Sequence, residues 1–261
     1  MIQNKYEITD LIGRGSYGRV YKCHDKFNNT FAMKVIPKHR TSESQEKTAK
    51  KIENEIRTLK KLQTCPNVVR YFETYEDSEN VHIIMEHCNG KDLLNNGTMN
   101  ESSLIYVASQ IVNVLEACHT NNIVHADVKP ANFCWANTSL KAIDFGCCRN
   151  ERGNSIMGTP AYMSPEVLAK QFSYKSDVWS LGITLFWLYT MEFPYWDRSI
   201  LELQNSNLFE AISSNPLRLH RLNLMSDIGR DFIGQCLQKK EEDRLSSFDA
   251  KRHPWLNLYR I

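Results

Sequence analysis

The hydrophobic pattern of this chain changes period once, near Asn89-Gly90, and that change restricts the available folds more than any other feature. Before it the chain is strand-rich. Residues 6–12, 19–24 and 30–36 carry β-branched and aromatic side chains broken by Gly and Asn turns, and Phe27-Asn28-Asn29-Thr30 predicts a hairpin turn. A helix is predicted over 44–62, with Ile52, Ile56, Leu59 and Leu62 on its apolar face. Two further strand-like runs, 68–75 and 81–87, flank a polar turn at 76–80. Beyond Gly90 the spacing becomes helical. The 103–119 segment sets Leu104, Val107, Ala108, Ile111, Leu115 and Cys118 on one face; 178–189 is mostly apolar, and 228–237 is a third helix. Strands followed by helices predict an α+β class in two lobes, 1–88 and 89–261, with a small-ligand cleft between them.

With 261 residues the chain can build one large domain or two packed lobes. Its 32 Lys and Arg against 30 Asp and Glu give no electrostatic case for a nucleic-acid partner or an acidic membrane. The longest apolar-rich run, between Asp177 and Glu192, falls short of the roughly 20 residues a bilayer requires, so no membrane span is expected. The first ten residues have no apolar core, so no secretory signal is expected. Eight Cys without a Cys-x-x-Cys predict reduced thiols and no structural zinc. These features predict an intracellular protein, cytoplasmic with possible nuclear access.

Gly13-Arg14-Gly15-Ser16-Tyr17-Gly18 fits G-x-G-x-x-G, whose glycines let backbone N–H groups approach phosphate oxygens. A simple hairpin turn has the same composition. A dinucleotide site needs a helix after the loop and an acidic residue about 20 positions on. Here Arg-Val-Tyr-Lys-Cys reads as a strand, and Asp25 comes too soon. No Gly-Lys-Ser/Thr follows either, which excludes a Walker loop. Lys34 lies in an apolar strand, Phe-Ala-Met-Lys-Val-Ile, where an ammonium group needs partners unless it faces outward on an edge. On the 44–62 helix, at 100° per residue from Ile52, the apolar stripe centres near about −15° and Glu55 near about −60°. Glu55 therefore turns inward toward Lys34, and Glu53 faces solvent. His125-Ala126-Asp127-Val128-Lys129-Pro130-Ala131-Asn132 packs acid, base and amide groups into eight positions; Asp144-Phe145-Gly146 ends an apolar stretch. Either Asp taken alone could simply cap an Asx turn.

Together these strings resemble the eukaryotic-type Ser/Thr protein kinases along nearly the whole chain. IGRGSYGRV, FAMKVI, HADVKPAN, DFG, GTPAYMSPE, DVWSLG and EDRL carry the resemblance. PNVVRYFETYEDSENVHIIMEHC and LEACHTNNIVH look most like the calcium-dependent and calmodulin-dependent kinases. The resemblance implies a bilobal kinase fold, the cofactors ATP and Mg²⁺, protein substrates bearing Ser or Thr, and a role in signal transduction. It implies that Ile12, Gly13, Arg14, Gly15, Ser16, Tyr17, Gly18 and Val20 cover ATP, with Val20 against the adenine. Lys34, held by Glu55, would bind the α- and β-phosphates. Met85 would gate the adenine pocket, the backbones of Glu86 and Cys88 would bind the adenine, and Asp92 would meet the ribose. Asp127 would accept the substrate proton, Lys129 would touch the γ-phosphate, and Asn132 and Asp144 would hold Mg²⁺. Glu166 and Arg244 would anchor the activation segment, and Asp177 the catalytic-loop backbone.

The sequence departs from the family at several positions. Ala126 replaces the Arg that usually receives a loop phosphate, so activity is expected without loop phosphorylation, although Ser155 and Thr159 could still be acceptors. The same change makes a pseudokinase, a nucleotide-binding scaffold, the alternative. Ala131 replaces a Glu and predicts weaker selection for a basic residue in the substrate. Cys147 and Cys148 follow Gly146, and packing is the expected role for both, with redox chemistry the alternative. No D-x-[DN]-x-[DN]-G loop occurs, so direct calcium binding is not expected.

Overall fold

The computed structural model describes residues 5–15, 18–39, 44–150, 158–196 and 205–258. The three β-branched segments at its start pair antiparallel as β1 (Tyr6–Arg14), β2 (Arg19–Asp25) and β3 (Thr30–Pro37). Their second turn uses the chemistry of Asn and Asp. Asn28 sits at φ 64°, and Asp25 Oδ1 accepts the N–H groups of Phe27 and Asn29, each at 2.9 Å.

Helix α1 (Gln45–Lys61) follows. Ser44 caps its start by accepting the Lys47 N–H, and Ile52, Glu55 and Leu59 are buried on its inner face. Glu53 is exposed, as the helical geometry required. Strands β4 (Tyr71–Glu76) and β5 (Asn80–Glu86) complete a five-stranded sheet in the order β1-β2-β3-β5-β4. The strand expected from residue 68 begins only at Tyr71. Residues 68 and 69 pair elsewhere: Val68 bridges Ala142, and the Val69 N–H donates to the Ala142 carbonyl at 3.1 Å.

The second half is built on α2 (Glu101–Thr120), capped by Asn100 and with 11 of its 20 residues buried. After it come the short strands β6 (Ile123–Val124), β7 (Phe133–Ala136), β8 (Ser139–Ala142) and β9 (Arg149–Asn150). Strand β6 pairs with β9, and β7 with β8. Helices α3 (Pro165–Leu168), α4 (Tyr174–Thr190), α5 (Asn205–Ser214), α6 (Asp227–Cys236) and α7 (Ser247–Arg252) complete it. Helix α4 is the apolar run. A reciprocal Ser173–Ser176 cap opens it, and 13 of its residues are buried. Among the described residues no helix is long and apolar enough to cross a membrane.

One hydrophobic core runs through both halves. It joins Ile52, Leu59, Ile83 and Met85 of the first to Leu104, Ile111, Phe145 and Trp179 of the second. A β-rich lobe carrying one principal helix thus rests on a helical lobe, the α+β, two-lobed architecture expected from the sequence.

Candidate active site

Lys34 sits in β3, paired across the sheet with Val20 and Ile83, and is 4% exposed. Its Nζ donates to Glu55 Oε1 at 2.5 Å and to Asp144 Oδ1 at 2.9 Å. Burial alone would lower the Lys34 pKa, but the two carboxylates outweigh it and hold the ammonium charged. Burial pushes the Glu55 carboxyl up even beside Lys34. For Asp144, burial also acts upward, but Lys34 and the Gly146 N–H, 3.1 Å from Oδ1, hold the carboxyl below its ordinary value. The inward turn of Glu55 read from the helical wheel is therefore real, and it unites three elements distant in sequence.

The His125–Asn132 loop is fixed from α4. Asp177, in the first turn of that helix, accepts the His125 N–H at Oδ2 and the Ala126 N–H at Oδ1, both at 2.8 Å. Ala126 is held at φ 63°, a left-handed conformation that costs a non-glycine residue about 1–3 kcal/mol. Its small side chain leaves a gap lined by Arg149, Met163, Val167 and Phe172.

The next residue, Asp127, is 8% exposed, and donors grip both its oxygens. Oδ1 accepts the Thr159 N–H at 2.9 Å and the Thr159 hydroxyl at 2.8 Å. Oδ2 takes Asn132 Nδ2 at 2.9 Å and Lys129 Nζ at 2.8 Å. Lys129 Nζ also donates to Thr159 Oγ1 at 2.6 Å. Thr159 thus completes the constellation. Sequence reasoning had it only as a possible phosphorylation site and missed this contact, which comes from 32 residues away. Gly158 allows the approach. It has φ 101°, and a Cβ there would lie 2.2 Å from the Ala126 carbonyl.

Between the lobes lies a cavity of about 640 Å³. Ile12, Gly13, Val20, Met85, Glu86, Cys88 and Asp92 line it, with Ala32, Cys134 and Ile143. Arg14 ends β1, and the Gly15 N–H closes a turn onto the Gly18 carbonyl at 2.9 Å. A Cβ on Gly18 would come within 2.3 Å of the Val35 carbonyl, so the third glycine is a packing requirement of the sheet. Ser16, Tyr17 and Ser155 lie outside the described residues. The Glu86 N–H is engaged by the Arg70 carbonyl at 2.8 Å, and its carboxylate meets Lys141 at 3.1 Å. The Cys88 N–H has no hydrogen-bond partner among the described residues. Asp92 caps a short turn, with Oδ1 accepting the Asn95 N–H at 2.9 Å.

Arg244 grips Glu166 with two nitrogens, at 2.6 and 3.1 Å, and stacks over Trp179. Burial acts upward on the Glu166 carboxyl, and Arg244 outweighs it, leaving the pKa lowered.

The oxygen donors suit a magnesium ion. Asn132 Nδ2 is spent on Asp127, which leaves its amide oxygen without a partner among the described residues. With the Asp144 carboxylate this makes a sparse, hard donor pair, the kind that Mg²⁺ completes with phosphates and water. Among the described residues no three His, Cys, Asp or Glu side chains form a metal site of their own.

Residues 6–256 match the protein kinase domain family. Similar proteins include CDPK-related kinase 5 of Arabidopsis thaliana, 35% identical over 97% of this chain and 44% of that protein. Calcium-dependent protein kinase 32 of the same plant is 34% identical over 98% of this chain and 49% of its own. A CDPK-related protein kinase of Daucus carota is 33% identical over 97% of the chain and 44% of its own. The chain spans about half the length of these relatives.

Proposed function

The chain belongs to the protein kinase family, and we propose that it transfers the γ-phosphate of ATP to Ser and Thr hydroxyls of protein substrates in a magnesium-dependent reaction. One observation carries this reading: Lys34 joins Glu55 and Asp144 at one end of the site, while Asp127 is held from four sides at the other. Phosphoryl transfer needs alignment and charge neutralisation more than covalent help from the protein, and the chain supplies both. The lobes divide at 88/89.

The adenine enters the cavity below Val20, past Met85, and meets the free Cys88 N–H; Asp92 takes the ribose. The Ile12–Val20 segment covers the phosphates. Lys34, charged and braced by Glu55, pairs with the α- and β-phosphates. The acceptor hydroxyl donates to Asp127, whose carboxylate is aimed by Thr159, Asn132 and Lys129. With both oxygens held by these donors, Asp127 orients the hydroxyl and accepts its proton. Lys129 balances charge on the γ-phosphate. Asp144 and the amide oxygen of Asn132 would hold Mg²⁺, which would supply charge neutralisation for the phosphates.

The test is transfer of radiolabel from ATP to a generic protein. Asp127→Asn should lower transfer by about 10²–10⁴-fold while leaving nucleotide affinity nearly intact. Unchanged transfer in that variant would refute the assignment.

Activity does not require a phosphate on the activation segment. Ala126 brings no guanidinium of its own to the gap beside it, where Arg149 is the basic side chain, and Glu166–Arg244 and Thr159–Asp127 fix the described end of the segment, residues 158–166. Phosphatase treatment should leave the rate within about threefold; a loss of two orders of magnitude would refute this.

A further inference from the structure

The proposed mechanism leaves one buried imidazole unused. His119, in the last turn of α2, is 8% exposed and lies between two other helices. Its Nε2 is 3.0 Å from Asp177 Oδ2 in the first turn of α4, and its Nδ1 is 2.8 Å from Ser247 Oγ at the start of α7. Asp177 and Ser247 are buried in turn. The Tyr174 ring, centred 5.0 Å away and tilted by 45°, packs beside the imidazole.

A serine, an imidazole and a carboxylate in a row are the parts of an acyl-transfer triad. Burial rules that chemistry out, because Ser247 is only 2% exposed and no substrate reaches it. What the row can do is fix a proton. The Asp177 carboxylate only accepts, and its two oxygens already take the His125 and Ala126 N–H groups at 2.8 Å. The His119 Nε2 that faces it must therefore carry a hydrogen. Nδ1 is then left as a buried acceptor, which is costly unless a donor meets it. The Ser247 hydroxyl is the donor within reach among the described residues.

We propose that Ser247 is a positioning residue for phosphoryl transfer. Its hydroxyl fixes His119 as the Nε2–H tautomer, the imidazole holds the Asp177 carboxylate, and that carboxylate sets the two loop amides that precede Asp127. The effect on transfer rests on the function proposed above; the tautomer does not.

The row ends where the loop is most sensitive. Its last amide belongs to Ala126, whose φ of 63° turns the chain into Asp127. A carboxylate that drifts lets this strained residue relax, and the next side chain along is the one that meets the acceptor hydroxyl. Ser247 lies 128 residues beyond His119, so no motif around the loop brings it forward.

The test uses the whole chain, labelled with nitrogen-15 and studied by NMR in neutral solution, together with steady-state kinetics. Wild-type His119 should show the Nε2–H tautomer alone. Ser247→Ala should shift the His125 and Ala126 amide resonances. It should lower kcat about five- to tenfold and leave KM for ATP within about twofold. Ser247→Thr, which keeps the hydroxyl, should return kcat to within about twofold of wild type. In a His119→Gln background, where an amide N–H still faces Asp177 but no ring needs orienting, Ser247→Ala should change kcat by less than about twofold. An Nδ1–H tautomer in the wild type, or an unchanged kcat in Ser247→Ala, overturns the proposal. So does an equal loss of kcat in both backgrounds, since Ser247 would then act by packing and not through His119. If the wild type transfers no phosphate, the function proposed above fails, while the tautomer and the two amide resonances still decide whether Ser247 positions the loop.

Discussion

Asp127 is aimed by backbone geometry as much as by its side-chain partners. The left-handed turn at Ala126 and the positive φ of Gly158 bring two loops close enough for Thr159 to reach the carboxylate. Gly158→Ala places a Cβ against the Ala126 carbonyl and should destabilise the fold by about 1–3 kcal/mol, measured by urea unfolding, and reduce transfer. Gly234→Ala is the contrast. That glycine lies inside α6 with nothing within 4 Å of an added Cβ, so the change should stabilise by about 0.5–1 kcal/mol. Equal effects at the two positions would contradict the geometry. The sequence made Asp127, Lys34 and Asp144 legible because their neighbours in the chain form recognisable strings. It did not reveal Thr159 as the partner of Asp127, since that contact exists only after segments distant in the chain meet.

Elements were legible where local chemistry decides them. The 44–62 helix was readable from its apolar period, which α1 obeys, while its cap at Ser44 emerged only in the structure. The 68–75 strand was overdrawn because Val68 and Val69 are apolar enough for β4 yet are claimed by Ala142, a pairing that no local pattern encodes. The Glu166–Arg244 pair shows the same dependence on distance, joining α3 to the loop before α7. Its pH behaviour follows from the lowered Glu166 value. The unfolded carboxyl titrates near about 4.3, so the pair's contribution is complete above that pH and is lost as pH falls through the lower folded value. Denaturant midpoints of the wild type and Glu166→Gln should therefore differ most near neutrality and converge in acid. A gap that widens in acid would show that Glu166 is not held ionised by Arg244.

For the whole molecule, the continuous core means that the two lobes share one stability. The acidic side chain at the head of α4 extends that unity to the reactive loop, because Asp177 receives two consecutive amides from it and also meets His119 of α2 at 3.0 Å. The loop therefore cannot breathe on its own. Deuterium should enter the His125 and Ala126 amides only in global unfolding events, at the rate of the slowest protons of α4. Rapid uptake there, with α4 still protected, would disprove the coupling. A molecule built this way gains reactivity and loses it in a single step: partial melting leaves no half-competent enzyme behind.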